Sequence, residues 1–264
     1  MIGFLIRKTF YDIWDNMFRI VLLNLGLIAV IGIPVGLYKL ITMFNPGAKE
    51  SSVLWISLCA FAILLCLIYL SAATFSLRAI SDYGTFGFRD FIGNIKKAWP
   101  SGIAMFVLLF AIALILTVVI PFYFSMDSLF GMIPGMIITW ALFFAVISFQ
   151  FYFTVYIRLG GKIFKSFKKC LIITFDNTGL SVFSFLYNIA TLLISIPFVF
   201  MLPGPAGVLL FLDEALRLRL LKYDWLDDHP GANRKKIPWD AILIEERDKT
   251  GTRSLKNFIF PWKD

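Results

Sequence analysis

From Ser128 to Ile157 the sequence carries no charged residue, and the 36 residues from Asn177 to Leu212 are uncharged as well. A helix crossing a hydrocarbon core of roughly 30 Å needs about 20 predominantly apolar residues, so both stretches are long enough to span a membrane. At a rise of about 1.5 Å per residue the second is too long to cross as a single helix. It has to turn, and Leu202-Pro203-Gly204-Pro205 supplies the residues that break a helix. The rest of the chain has the same character: 59% of residues are hydrophobic and 16% charged, against about 45–50% and 25% in soluble domains. That surplus needs lipid to cover it. The expected fold is an all-α polytopic transmembrane helical bundle of five to six spans arranged as helical hairpins, with a short cytoplasmic tail.

Apolar runs place the spans at about Arg19 to Leu37, Val53 to Leu77, Ile103 to Phe124, Phe130 to Ile157 and Leu180 to Met201. Arg7, Lys8, Asp12 and Asp15 precede a first run that is already of span length, so that helix is expected to remain in the mature protein. Arg78, Arg89, Lys96 and Lys97 fall in the second connection, and Arg158, Lys162, Lys165, Lys168 and Lys169 in the fourth. Positive charge collects on the cytoplasmic side, which makes those connections and the amino terminus cytoplasmic. Eleven of the 25 basic residues lie beyond Leu212, so the same rule favours a short, charged sixth crossing between about Pro205 and Leu221 and a cytoplasmic carboxyl terminus. The net charge of +8 is read as topology, without a role for nucleic acid. An internal repeat agrees with the even count. Phe88-x-x-Phe91 followed by Ile120-Pro121-Phe122-x-Phe124 recurs 76 residues later as Phe164-x-x-Phe167 and Ile196-Pro197-Phe198-x-Phe200.

Side chains capable of chemistry are few. The single histidine, His229, lies in an Asp-Asp-His-Pro-Gly stretch, and Cys59, Cys66 and Cys170 form no CxxC, so neither a His-based triad nor a disulfide or metal framework is indicated. No cofactor is expected. Asn24, Gln150 and Asn188 are the main polar groups within the spans and suit interhelical hydrogen bonds. Asp213 and Arg217 stand four residues apart in acid-first order on the sixth segment, a candidate intramembrane ion pair. The alternative is a helix leaving the membrane with its arginines snorkelling to the headgroups. Arg158, Lys162, Lys165, Lys168 and Lys169, interleaved with Phe164 and Phe167, form a candidate cytoplasmic contact surface for anionic lipid or a partner protein.

A transmembrane domain over residues 1–222 is followed by a tail over 223–264, in which Trp239 to Lys249 reads as a short helix and Leu255 to Trp262 as an apolar docking peptide. A tail of this size cannot sustain a core by itself.

The first span with Asn24 and Ile33-Pro34, the segment Phe88-Arg89-Asp90-Phe91, and Arg158 followed by Lys162-Ile-Phe-Lys-Ser-Phe-Lys-Lys169 resemble the YesL-like bacterial integral membrane proteins over roughly residues 10–222. The sequence departs from that pattern at Val35-Gly36-Leu37, where small and hydroxyl residues are usual, and its tail from Tyr223 lies outside the resemblance. The family has no assigned function and implies no catalytic residue; its members often neighbour carbohydrate-uptake systems. The reading that follows is a non-enzymatic inner-membrane protein that assists or regulates a transport system, possessing a transporter subunit as partner. The runner-up is a small solute transporter or channel, built on proline-bent hairpins.

Overall fold

The computed structural model describes residues 1–45, 47, 51–126, 128–233 and 237–251, and among them every regular element is helical. The helices are α1 (Ile2–Asp15), α2 (Met17–Phe44), α3 (Ser52–Ser81), α4 (Phe88–Leu114), α5 (Ile120–Phe124), α6 (Leu129–Phe149), α7 (Tyr152–Arg158), α8 (Ile163–Asp176), α9 (Thr178–Ser195), α10 (Gly204–Asp228), α11 (Trp239–Ile242) and α12 (Ile244–Thr250). A π-helical turn over Ile115–Val119 joins α4 to α5, so Phe88–Phe124 is one continuous rod. With α2, α3, α6 and α9 it makes five helices long and apolar enough to cross a membrane. Their outer faces carry Phe110, Phe130, Ile137 and Trp140, all exposed. Only lipid makes such a surface stable, and the protein is a multi-pass membrane protein.

Neighbouring spans pack as hairpins through small and hydroxyl residues, the usual means of bringing helices close in lipid. Between α2 and α3, the Tyr38 and Trp55 rings lie 4.3 Å apart, and the Tyr69 hydroxyl donates to the Leu23 carbonyl at 2.8 Å. Between α3 and α4, the Ser71 and Ser101 hydroxyls meet at 2.5 Å. Gly102 is obligatory there, because a Cβ would stand 2.7 Å from the Ile68 Cα.

Three boundaries differ from those read in the sequence. The third span begins at Phe88, because Pro100 is accommodated inside α4 and the basic, aromatic segment before Ile103 is its first turns. The fourth breaks after Phe149, where the Gln150 amide turns back to donate to the Ile147 carbonyl at 2.8 Å. The residues before the first span form a separate helix, α1, with Leu5, Lys8 and Thr9 buried while Ile2, Ile6, Phe10 and Trp14 form an exposed stripe at four-residue spacing. An exposed apolar stripe of this kind suits a helix lying along a membrane interface.

The centre of the bundle is α10, which returns beside α9 with Leu210, Phe211, Ala215 and Leu216 fully enclosed. The Tyr187 and Phe211 rings stack at 3.9 Å between the two helices. Helix α10 runs through residue 222 to Asp228, so it belongs both to the bundle and to the tail. The helix read over Trp239 to Lys249 is divided into α11 and α12, and Leu243 between them is buried in the core. The segment Leu255 to Trp262 lies outside the described residues.

Candidate functional site

One end of the bundle holds a cluster of buried charges contributed by five helices. Its floor is the carboxyl end of α3, where the unsatisfied carbonyls of a helix terminus attract cations. Lys8 from α1 donates to the Ser81 carbonyl at 3.3 Å, and Arg217 from α10 donates to the same oxygen.

Each cation is in turn matched by carboxylates. Lys8 Nζ lies 2.5 Å from Asp12 and 3.3 Å from Glu214, whose other oxygen accepts from Thr9 Oγ1. Arg158, the last residue of α7, grips Asp213 with two N–H groups, Nε to Oδ1 at 2.8 Å and Nη2 to Oδ2 at 2.5 Å. The same guanidinium reaches Asp82 Oδ1 at 3.0 Å and the Ser81 hydroxyl at 3.1 Å. Arg217 bonds Glu246 of α12 at 2.8 Å and stands 3.3 Å from Asp82. Tyr83, held in the left-handed region at φ 61°, closes the cluster. Its hydroxyl donates to Glu246 at 2.8 Å, and Lys8 lies 4.4 Å from the centre of its ring. The ring face attracts that cation, which helps to hold an otherwise costly φ.

The sequence-derived sites are redistributed. Asp213 and Arg217 are both present but do not pair with each other: Asp213 takes Arg158, and Arg217 takes Glu246, Asp82 and the end of α3. An i,i+4 pair suits a solvated helix face, whereas α10 is packed against other elements, and Arg158 of α7, Asp82 at the end of α3 and Glu246 of α12 take the two groups instead. Arg158 is correspondingly absent from the surface, with 8% of its side chain exposed. Of the lysines grouped with it, Lys162, Lys165 and Lys168 are exposed at or near the start of α8, while half-buried Lys169 donates to the Leu159 carbonyl at 2.9 Å. The sequence marks Lys8, Glu214 and Glu246 only as charges of separate segments, and nothing in it singles out Asp82 or Tyr83. Positions separated by 73 or 206 residues carry no periodic signal that would join them.

A scan against models of protein families finds no match for this chain, and searches among curated proteins and solved structures find none.

The arrangement is that of a latch. Among the described residues no group of three or more His, Cys, Asp or Glu is placed to hold a metal ion. Each cation of the cluster is engaged by carboxylates and carbonyls, and together they tie α12 and α1 to the ends of the spans. Burial by itself lowers the Lys8 pKa, but Glu214, Asp12 and Tyr83 outweigh it and raise the ammonium above its ordinary value. Burial, assisted by the bond to Glu246, pushes Tyr83 up to about 12 from 10.0. Both groups therefore hold protons more tightly folded than unfolded, so their contribution to stability is complete at neutral pH and is lost on alkalinisation. In detergent, the thermal midpoint is expected to fall between about pH 10 and 12. Tyr83→Phe should lessen that fall, and a midpoint that stays level across the window in both proteins would contradict the assignment.

Proposed function

We propose that the chain is a non-enzymatic accessory or regulatory component of a transport system in the cytoplasmic membrane, with both termini and the basic connections on the cytoplasmic side. The single observation that carries this reading is the separation of polar from apolar structure. The groove between α3 and α4 is lined by Trp55, Ile56, Ile63, Phe106 and Phe110, and the one between α4 and α6 by Leu108, Ile112, Ile138 and Leu142. A transporter draws its substrate through polar groups near the midplane, whereas here the charges gather at one end beside the exposed Lys162, Lys165 and Lys168. The resemblance to YesL-like proteins adds a carbohydrate-uptake system as the partner.

The test is a pull-down in mild detergent, with partners identified by mass spectrometry. Lys162, Lys165 and Lys168 are replaced together by glutamate, which leaves the buried cluster untouched. A transporter subunit should accompany the unaltered protein and be lost from the triple variant. The runner-up, a solute path of its own, rests on Gln150, Asn188 and Ser184. Asn188 Nδ2 donates to Gln150 at 3.0 Å, while Asn188 Oδ1 and Ser184 Oγ are buried without a hydrogen-bond partner among the described residues. Solute flux through liposomes holding only this protein would establish that reading and displace the first.

A further inference from the structure

The structure assigns a binding site for one anionic phospholipid to the groove between the start of α2 and the start of α4. The groove has a volume of about 430 Å³, within the roughly 300–1,000 Å³ typical of sites that enclose a small molecule. Leu22, Leu23, Phe88 and Phe91 wall it, and the Tyr69 ring forms its base. Gly26 gives that ring its space, since a Cβ at this position would collide with the Tyr69 hydroxyl. Tyr69 is then fixed by its bond to the Leu23 carbonyl and by Phe91, 5.2 Å away ring to ring. Two wall residues, Leu22 and Phe88, are 67% and 78% exposed, so the groove opens onto the outer face of the bundle, where a membrane protein meets lipid.

Arg19 at one end sets this groove apart from the apolar grooves beside α3, α4 and α6 among the described residues. Its Nε donates to the Phe86 carbonyl at 3.2 Å and Nη1 to Asn16 Oδ1 at 2.9 Å, which fixes the plane of the guanidinium. Both acceptors are neutral. Among the described residues Arg19 has no carboxylate partner, unlike Lys8, Arg158 and Arg217 deeper in the same end of the molecule. The Asp90 carboxylate in the first turn of α4 accepts from the Gly87 N–H at 2.8 Å. A half-buried, oriented guanidinium with unused N–H groups is suited to a phosphate diester, which it can meet through two parallel hydrogen bonds.

The shape and the charge agree on the occupant. A free anion would use Arg19 and leave the apolar length of the groove bare, while a neutral acyl chain would leave the guanidinium without its counter-ion. A phospholipid satisfies both, with its phosphate on Arg19 and an acyl chain over Tyr69 and Phe91. Exposed Arg89, next to Phe88, favours a headgroup of net negative charge over a zwitterionic one. Basic pockets between spans on the cytoplasmic side bind such headgroups in other membrane proteins.

The experiment is native mass spectrometry of the full-length protein, released from detergent after equilibration with equal amounts of phosphatidylglycerol and phosphatidylcholine. The unaltered protein should retain one phosphatidylglycerol in preference to phosphatidylcholine. Arg19→Gln should reduce that preference about tenfold, and Leu22→Trp, which fills the groove without removing charge, should reduce retention of both lipids. Arg19→Lys keeps the charge but loses the two-pronged geometry, and an intermediate preference shows that loss in Arg19→Gln is not misfolding. Equal retention of the two lipids by the unaltered protein, or an unchanged preference in Arg19→Gln, would overturn the site. So would displacement of the lipid by inorganic phosphate alone, which would leave only an anion site.

Discussion

Arg158→Met is expected to cost the folded protein about 3–5 kcal/mol, the range for removing one partner of a buried ion pair. Asp213 has no exposed side-chain surface, and Arg158 supplies both of its strong hydrogen bonds. Without the guanidinium, an ionised carboxylate with no exposed surface would be left inside the charge cluster, where its desolvation is no longer compensated. The damage should spread, because Arg158 also ties Ser81 and Asp82 at the end of α3 to α7. The second half of the prediction concerns Arg158→Met combined with Asp213→Leu. Replacing a whole buried pair by apolar groups of similar size is often neutral or stabilising, so the double variant should recover most of the lost thermal midpoint in detergent. A single variant as stable as the parent, or a double variant no better than the single, would show that the pair is not energetically buried.

The spans were legible because lipid imposes one rule, a run of about 20 apolar residues, that needs no knowledge of neighbours. The same rule misplaced the start of the third span. Arg89, Lys96 and Lys97 lower the local hydropathy of a segment that is nonetheless the first turns of α4, since helicity does not stop where the membrane does. Helix α1 was hidden for another reason. Its exposed stripe is apolar, and Lys8 and Thr9 are buried beside Leu5 and Tyr11, so apolar and polar residues do not separate into the inner and outer faces that mark a helix on a soluble core. The charge cluster was half legible. Asp213 and Arg217 stood out as charges inside an apolar context, but local spacing paired them with each other because it is blind to α3, α7 and α12. A charge on a helix surface is best matched four residues away; a charge on an enclosed helix is matched by whatever packs against it.

That distinction also bears on where a partner could bind. Arg158 and Lys169 are occupied by the protein's own groups, so a docking protein would meet Lys162, Lys165 and Lys168 together with the exposed Phe164. Reversing those three lysines therefore tests a surface, whereas altering Arg158 tests a fold, and the two experiments should not be read as one.

The second large effect is expected at Asn24, eight residues into α2. Its amide donates to the Met201 carbonyl at 2.9 Å and to the Pro203 carbonyl at 3.0 Å, and its Oδ1 accepts from the Ala206 N–H at 2.9 Å. These bonds close the tip of the α9–α10 hairpin, assisted by the Ser195 hydroxyl, which accepts from the Gly204 N–H at 2.9 Å. The tip needs such support. Val199 and Phe200 sit at φ 51° and 57°, a conformation that costs non-glycine residues about 1–3 kcal/mol each. Gly204, at φ 60°, packs so closely on the Asn24 amide that a side chain there would overlap it. Asn24 is 2% exposed and Ala206 3%, so an amide or N–H released here has little water to bond. Asn24→Leu should therefore lose about 3–5 kcal/mol, from unsatisfied groups at roughly 1–3 kcal/mol each. Asn24→Asp should fare no better, since it retains the acceptor for Ala206 but turns a second oxygen toward two carbonyls. Asn188→Leu provides the comparison. That amide makes one interhelical bond and already leaves its own oxygen unpartnered among the described residues, so its loss should cost about 1 kcal/mol or less. If Asn188→Leu lowers the thermal midpoint in detergent as much as Asn24→Leu does, or more, the hairpin tip is held by the packing of Phe211 on Tyr187 and not by the Asn24 bonds.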